Sequence, residues 1–582
     1  MSQSGVETND GKLLVAPGAQ QSRPVAGALA IPTFLLVLAW FAHFSWFRKM
    51  GFYEDDHFFA ASVMTMTPHD LAQWIVTLIK RFPEPQGRNL GFALGFLLPY
   101  IGYHLGGLPG MFVVGYVIFG LNTLLFYYLL RRHAPSPVPF VAAVSFILYP
   151  ADTTRPFLCH QDILQPAITF MLLGCHACLS RNRLLRCATY PCAAASLLCY
   201  ETAVLPLFFI PLLVIRRRSE RWWIGFIAHY TLMAAVVGTI VWLRQRFGET
   251  RMVQTAASGY RDVVRNIFYG TGIGLRTVWN ICVHRTEFGL LDALRRRGVR
   301  VGMGLVGAGL ATAVVWSFHL KPGPATRVQY ARALLPSLLY ALATLSISYT
   351  FGFTHFPPDF EIGRMTSTHL ATTFPFAVLL GLAAALPLLI AHRRVGIVIS
   401  AGMVAAYFPL LFRASQDEQK GYAAIWQAKR IFWSQVVQLC PDLDLNTIII
   451  VDGTVVRKAY YMDGSGWSDY MVLNQMYDFH SGTSWQYPKL YAFNIGDDGP
   501  LWNRGIIRDA EGRPIWRSPP AMTPADMLIP EGDTILLHAG RDGVVTRQTG
   551  LIELAGKPFR LKDRVPAAHY PTLPMYHLMV GQ

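Results

Sequence analysis

The chain has 582 residues, of which 52% are hydrophobic and only 15% charged, and its mean hydropathy is positive. That composition excludes a string of ordinary soluble domains and makes a lipid bilayer the main solvent of the fold. The formal charge of +16 does not point to nucleic acid: after Leu411 there are 17 basic and 18 acidic side chains, so the excess lies in short loops between apolar runs, and no zinc pattern, basic helix or aromatic single-strand platform accompanies it.

In chain order, residues 1–26 form a polar tail expected in the cytoplasm, and the run from Gly27 to Phe47 reads as a retained first membrane helix, since no small-x-small cleavage site follows it. Apolar runs of about 17 to 22 residues match a hydrocarbon core of about 30 Å. They place further spans near 110–130, 138–158, 163–180, 187–200, 203–215, 222–243, 301–319, 333–350, 369–391 and 395–412, about eleven in all. On that path the basic clusters Arg131–Arg132, Arg181–Arg186, Arg216–Arg221, Lys321–Arg332 and Arg393–Arg394 all fall in the cytoplasm, and the odd number of spans puts the C-terminus outside. Three stretches resist. Residues 90–108 are apolar, but their glycines and Pro99 fit an outer-leaflet or re-entrant helix. Residues 187–215 hold two short helices whose turn near Glu201 is inferred from flanking charge. Residues 261–300 are charged throughout and leave Arg295, Arg296 and Arg297 outside, against the positive-inside rule. The expected long outer loops are 48–109, 244–300 and 349–368, and loops on a rigid scaffold are where sites are assembled.

Residues 27–412 are thus expected to form the membrane domain and 413–582 a soluble one. In the latter, LNTIIIVDG and DTILLHAG read as buried strands, with QMYDF and WQYPKLYAFNIG as helix or strand edges. Its single cysteine, Cys440, excludes an internal disulfide, and it has neither a nucleotide loop nor a nucleophile elbow. Cys175 and Cys178 stand in CxxC spacing inside an apolar run with no second pair nearby, which fits small helix-packing residues better than a metal or redox site. The expected fold class is α: a polytopic transmembrane helical bundle followed by a small extracytoplasmic α/β domain.

Directly after the first helix stands Tyr53-Glu54-Asp55-Asp56-His57-Phe58-Phe59, three consecutive carboxylates hemmed in by aromatics at a membrane boundary. A solvated helix end explains the acidity but not the aromatics; burial there would raise at least one carboxyl pKa and suit a general base or a cation ligand. Glu201 lies between two apolar runs, where an unpaired carboxylate is expensive. Arg364, at the outer end of a helix, could hold a phosphate through two parallel hydrogen bonds, against the plainer role of interfacial anchor. His57, Asp152, Arg155, His160, Asp162, His355, Asp359 and Glu361 fall on or near the outer side; His160 and Asp162, in CHQD at a helix entrance, are placed to line a cavity.

With these residues the chain resembles the GT-C superfamily of membrane glycosyltransferases, which use polyprenyl-phosphate-linked sugars and carry an acidic motif just beyond the first helix, where Glu54-Asp55-Asp56 stands. GRNLGF, with Arg88, looks like the arginine-led segment of the first outer loop in bacterial members. Cys199-Tyr200-Glu201-Thr202 looks like their glutamate at an outward turn. GRMTSTHLATTFPFAVLL, led by Arg364, looks like the start of a late helix, although the tyrosine usual after that arginine is absent. The resemblance implies a GT-C-like fold in a bacterial plasma membrane and transfer of a sugar from a polyprenyl-phosphate carrier to a glycan, lipid or protein acceptor at the outer face. It also implies a catalytic group of Asp55, then Asp56, with Glu54 beside them, and substrate contacts from Arg364, Arg88, Glu201, His160 and Asp162. A divalent cation such as Mg²⁺ or Mn²⁺ on the carboxylates stands open beside management of the phosphate by arginine alone. A transporter or flippase of a lipid-linked substrate, or a scaffold that binds the carrier without turnover, are the alternatives. The lack of an evident internal repeat and the one-sided loops speak against the transporter.

Overall fold

The structure, a computed structural model, describes residues 25–81, 86–217, 222–249, 260–320, 326–350, 363–452, 471–479, 488–493, 506–516, 527–540, 542–554, 556–565 and 569–581. Among these, seven helices are long and apolar enough to cross a membrane by length and composition, so the chain is a multi-pass membrane protein. The difference from the eleven expected spans has local causes.

Helix α1 (Val25–His43) is followed by short 3₁₀ and π turns and then by α2 (Pro68–Lys80). The latter is started by a reciprocal Thr67–Asp70 capping box with Pro68 in its first turn. The next helix, α3 (Asn89–His133), is not one rod. Gly106 and Gly107 leave helical geometry, Gly107 at φ 61°, and a Cβ on Gly102 would stand 2.5 Å from the Met111 Cα. Nine residues of straight helix would keep those positions about 13 Å apart, so the chain doubles back. Both arms close on α5 (Leu158–Cys178): Gly91 and Gly95 meet Ile163 from one arm, and Gly115 meets Gln161 from the other. Residues 48–109, expected as a loop, are therefore largely helical, and 90–108 is one arm of a hairpin.

Helix α4 (Val138–Ile147) has ten residues where a span over 138–158 was expected. Pro150 and Pro156 account for the loss, since a residue before proline is pushed out of helical conformation. The chain runs without regular structure from Leu148 to Phe157, wholly buried, and α5 starts five residues earlier than expected. In the middle, α6 (Thr189–Cys199) turns at Tyr200 into short helical pieces ending at Arg217, with Pro206 and Pro211 among them, and neither half is long enough to cross alone.

Helices α7 (Trp222–Arg246), α8 (Tyr260–Arg295), α9 (Arg297–Leu320), α10 (Arg327–Ile347), α11 (Thr373–Ala385) and α12 (Arg393–Leu439) complete the bundle. The stretch 244–300, expected as an outer loop, is mostly α8, which lacks the composition of a span among the described helices. Its charges are answered by α12: Arg285 meets Glu418 at 2.6 Å and Arg413 meets Asp292 at 2.6 Å, while Gly289 lies against the Leu410 backbone. Of the expected loop 349–368, residues 351–362 lie outside the described residues. At 47 residues α12 is about 70 Å long, so it crosses the bilayer and continues past 412 to carry the chain into the C-terminal domain.

That domain is α/β. Strand β1 (Ile448–Asp452) is parallel to both β2 (Lys489–Phe493) and β6 (Thr534–Ala539), and β7 (Val545–Gln548) joins antiparallel, in the order β2-β1-β6-β7. Strands β3 (Ile506–Arg508), β4 (Pro514–Trp516) and β5 (Met527–Leu528) form a second sheet, and β8 (Leu551–Leu554) pairs with β9 (Lys557–Arg560). One end of β7 is fixed by Arg547, which grips Asp442 with two bonds of 2.5 and 2.9 Å, both side chains fully buried. Two short helices, α13 (Val472–Met476) and α14 (Pro574–Val580), turn buried Leu473, Met476, Met575 and Met579 into the main core.

Candidate functional site

The acidic segment leaves α1 through Met50, Gly51 and Phe52, all buried, and Gly51 is required because a Cβ there would stand 1.9 Å from the Trp426 ring. Tyr53 is fixed at both ends: its hydroxyl accepts from the Gly51 N–H (3.2 Å) and donates to the Tyr422 carbonyl (2.8 Å). Lys429 donates to the Phe52 carbonyl (3.1 Å) and stands 5.4 Å over the Tyr53 ring. Glu54 then takes φ 44°, a left-handed conformation uncommon for a non-glycine residue.

The three carboxylates separate after that turn. Asp56 is fully buried: Oδ2 accepts from the Tyr53 N–H (3.0 Å) and Oδ1 from the Cys159 N–H (2.7 Å). Cys159 is in the first turn of α5, whose N–H groups have no carbonyl within the helix to meet, so Asp56 caps α5 from 103 residues away. Burial pushes the Asp56 carboxyl up to about 7 against the opposing pull of these N–H groups. Glu54 and Asp55 are half-buried. His57 to Ala61 form a π turn, a feature frequent at functional sites.

The buried stretch Leu148–Phe157 stands beside it. Asp152 accepts from the Thr154 N–H (3.0 Å) and hydroxyl (2.6 Å), closing a tight turn. Thr153 holds the start of the 3₁₀ turn Arg364–Thr372: its N–H donates to the Thr366 hydroxyl (3.0 Å), and its own hydroxyl accepts from the Gly363 N–H (2.8 Å). The Tyr422 hydroxyl donates to the Thr153 carbonyl (3.3 Å). Arg364 stands between Gly363 and Thr366, so its backbone is fixed here, while its side chain lies outside the described residues.

Arg88 and Glu201 meet one another. The guanidinium grips the carboxylate with Nε to Oε2 at 2.8 Å and Nη2 to Oε1 at 2.6 Å, lies 4.3 Å over the Tyr200 ring, and shares Glu201 with Arg244 at 3.5 Å. Tyr200 in turn reaches Ser367 of the same 3₁₀ turn at 3.5 Å. A cleft at the Asp152–Thr154 turn is lined by Phe44, Phe119, Asp152, Thr154, Arg155, His160, Gln161, Leu164 and Gln165. His160 stacks on Phe157 at 5.4 Å, and Arg155 lies 4.4 Å over Phe119. Asp162 is fully buried in α5, is not among the cleft's lining residues, and neither of its oxygens has a hydrogen-bond partner among the described residues.

Of the expected site residues, Glu54, Asp55, Asp56, Arg88, Glu201, His160 and the backbone of Arg364 come together around Thr153, Tyr200 and Tyr422. Asp162 is buried in α5 one turn beyond the Cys159 N–H that Asp56 accepts from, near Asp56 but outside the cleft's lining, and His355, Asp359 and Glu361 lie outside the described residues. Sequence reasoning missed Tyr422 and Lys429, although Tyr422, Trp426, Lys429 and Trp433 recur at helical spacing on one buried face of α12. Among the described residues no group of three or more His, Cys, Asp or Glu is arranged to hold a metal ion, so a cation at Glu54 and Asp55 would take most of its oxygens from water and substrate.

No protein-family model matches the chain, and a search of curated proteins finds no match. Among solved structures it is similar to ArnT from Cupriavidus metallidurans in the apo state, with a TM-score of 0.36 and 11% identity over 75% of this chain and 85% of that one. It is similar also to the same protein bound to undecaprenyl phosphate, with a TM-score of 0.34 and 10% identity over 75% and 84%. A likeness at that level carries nothing about substrate or site residues.

Proposed function

We propose that the chain is a glycosyltransferase of the GT-C kind that moves a sugar from a polyprenyl-phosphate carrier to an acceptor hydroxyl at the outer face of the membrane, the side on which its C-terminal domain also lies. The observation that carries this reading is the convergence of the acidic segment, the Arg88–Glu201 pair and the turn led by Arg364, drawn from four separated parts of the chain. Asp55 is the general base. Asp56 spends both oxygens on backbone N–H groups, whereas the half-buried Asp55 follows the strained Glu54 on the same turn.

In the reaction Asp55 takes the proton of the acceptor hydroxyl, whose oxygen attacks the anomeric carbon. The bond from that carbon to the phosphate oxygen breaks, and the carrier leaves with the electron pair as a polyprenyl phosphate monoester. Arg364 answers the charge that develops on the phosphate. Arg88 and Glu201 frame the donor side as a pair. A divalent cation such as Mg²⁺ or Mn²⁺, if Glu54 and Asp55 held it through their carboxylate oxygens, would give Asp55 the role of a ligand in place of that of a base.

Purified protein in lipid nanodiscs, given a polyprenyl-phosphate sugar and an acceptor extract, should release polyprenyl phosphate. Arg364→Ala should weaken donor binding more than Arg364→Lys, because lysine keeps the charge and loses the fork. Absence of any donor binding by the wild-type protein, across the carrier-linked sugars tried, would remove the proposal.

A further inference from the structure

The turn that carries Glu54, Asp55 and Asp56 is under strain, with a left-handed Glu54 followed by a π turn, and such a conformation persists only where its surroundings over-determine it. Two of its fixings come from the membrane bundle: Cys159 of α5 holds Asp56, and Tyr422 and Lys429 of α12 hold Tyr53 and Phe52. The third comes from the C-terminal domain. Gln475 of α13 faces His57, the residue after the triplet, and addresses it twice: its Oε1 lies 3.3 Å from His57 Nδ1, and its Nε2 donates to the His57 carbonyl. A π turn leaves carbonyls out of the regular helical ladder, and an amide side chain, with one donor and one acceptor end, can meet both the ring and the backbone of one residue.

Gln475 is itself held. It is 7% exposed and flanked in α13 by fully buried Val472, Leu473 and Met476. The following chain is tied to the C-terminal tail: the Leu573 N–H donates to the Met476 carbonyl (2.8 Å), the Asp478 N–H donates to the Pro571 carbonyl (2.9 Å), and Tyr477 bridges to Thr572. The tail then forms α14, whose buried Met575 and Met579 belong to the core shared with α12 and with Val63 and Met64, which follow the π turn. The domain thus grips the end of the acidic segment with α13 and braces it with α14, across 418 residues of sequence.

We infer that Gln475 is a positioning residue, through which the C-terminal domain sets the geometry of the acidic turn. This role rests on the reading of that turn as catalytic. The domain is then a working part of the transfer site, and loosening it misplaces the base without removing it.

The test uses the full chain in nanodiscs and two readouts, hydrogen exchange over residues 50–66 and initial rate of sugar transfer. Gln475→Ala should raise exchange in 50–66 and lower kcat about tenfold, the scale expected from losing two hydrogen bonds of ordinary strength, with donor KM changed less than about twofold. Gln475→Glu, which keeps an acceptor for His57 Nδ1 and loses the donor to its carbonyl, should fall between wild type and alanine in both. Gln435→Ala is the control. Gln435 joins α12 to the same domain through the Gly543 carbonyl (2.9 Å) and the Val545 N–H (2.8 Å), away from the acidic segment. It should leave exchange in 50–66 unchanged. Unaltered exchange in Gln475→Ala, or an equal rise in Gln435→Ala, would overturn the positioning role. Raised exchange in Gln475→Ala, found together with a wild-type protein that transfers no sugar, would instead sink the catalytic reading and leave the clamp standing.

Discussion

Asp55 and Asp56 are neighbours with opposite expected responses to the same change. Asparagine at 56 keeps one acceptor oxygen and puts an NH₂ group against either the Cys159 or the Tyr53 N–H, both of which now meet a carboxylate oxygen. One buried N–H then lacks an acceptor, at a cost of about 1–3 kcal/mol. The wild-type side also moves with pH. Because the Asp56 carboxyl is raised to about 7, the folded state holds a proton that the unfolded state has already lost above about pH 4. Wild-type stability therefore falls between about pH 4 and 7, by at most roughly 4 kcal/mol, and levels off above, whereas an asparagine side chain in its place does not titrate. The stability gap between wild type and Asp56→Asn should accordingly be larger at pH 5 than at pH 7 and narrow by pH 8. Half-buried Asp55 should show its effect in the reaction: Asp55→Asn should cut sugar transfer at least about a hundredfold, the low end of a general base's contribution. Melting in nanodiscs across pH 5 to 8, with transfer rates for both variants, gives all the numbers. A gap that widens with pH, or full transfer activity in Asp55→Asn, would refute this division of roles.

Three further expectations follow from packing. Glu201→Ala leaves Arg88 buried without its carboxylate, and should destabilise the protein by about 3–5 kcal/mol in thermal melts, while Arg88→Lys, which cannot make the fork, should cost less. Gly115→Ala would put a Cβ 1.7 Å from Gln161 Oε1, so it should lower the melting temperature by several degrees, and Gly115→Ala with Gln161→Ala should recover part of the loss. Arg547→Ala leaves Asp442 buried and unpaired, and should open the C-terminal domain to limited proteolysis at protease levels that spare the wild type.

What was legible in the sequence was whatever depends on length and local chemistry. Runs of about twenty apolar residues identified the long helices, and the composition change near 412 announced a soluble α/β domain whose strands LNTIIIVDG and DTILLHAG now sit side by side as β1 and β6. What was not legible depended on partners. The run Leu90–Leu108 reads as a helix either way; its fold-back is decided by Gly102 packing on Met111. The proline pair at 150 and 156 was a readable stop signal, passed over because the run around it is apolar enough to look continuous.

The site divides along the same line. Sequence could say that Glu201, lying between apolar runs, needs an answer to its charge, but not that the answer is Arg88, 113 residues earlier and itself expected to touch substrate. Nor could the acidic triplet reveal that its third member is spent on the first turn of α5. The two Asp56 oxygens accept from the Tyr53 and Cys159 N–H groups, after the left-handed turn at Glu54. The buried stripe Tyr422, Trp426, Lys429, Trp433 follows the same rule: a lysine at helical spacing among aromatics has to find an acceptor, and the Phe52 carbonyl serves as one, at the root of the turn that carries Glu54, Asp55 and Asp56.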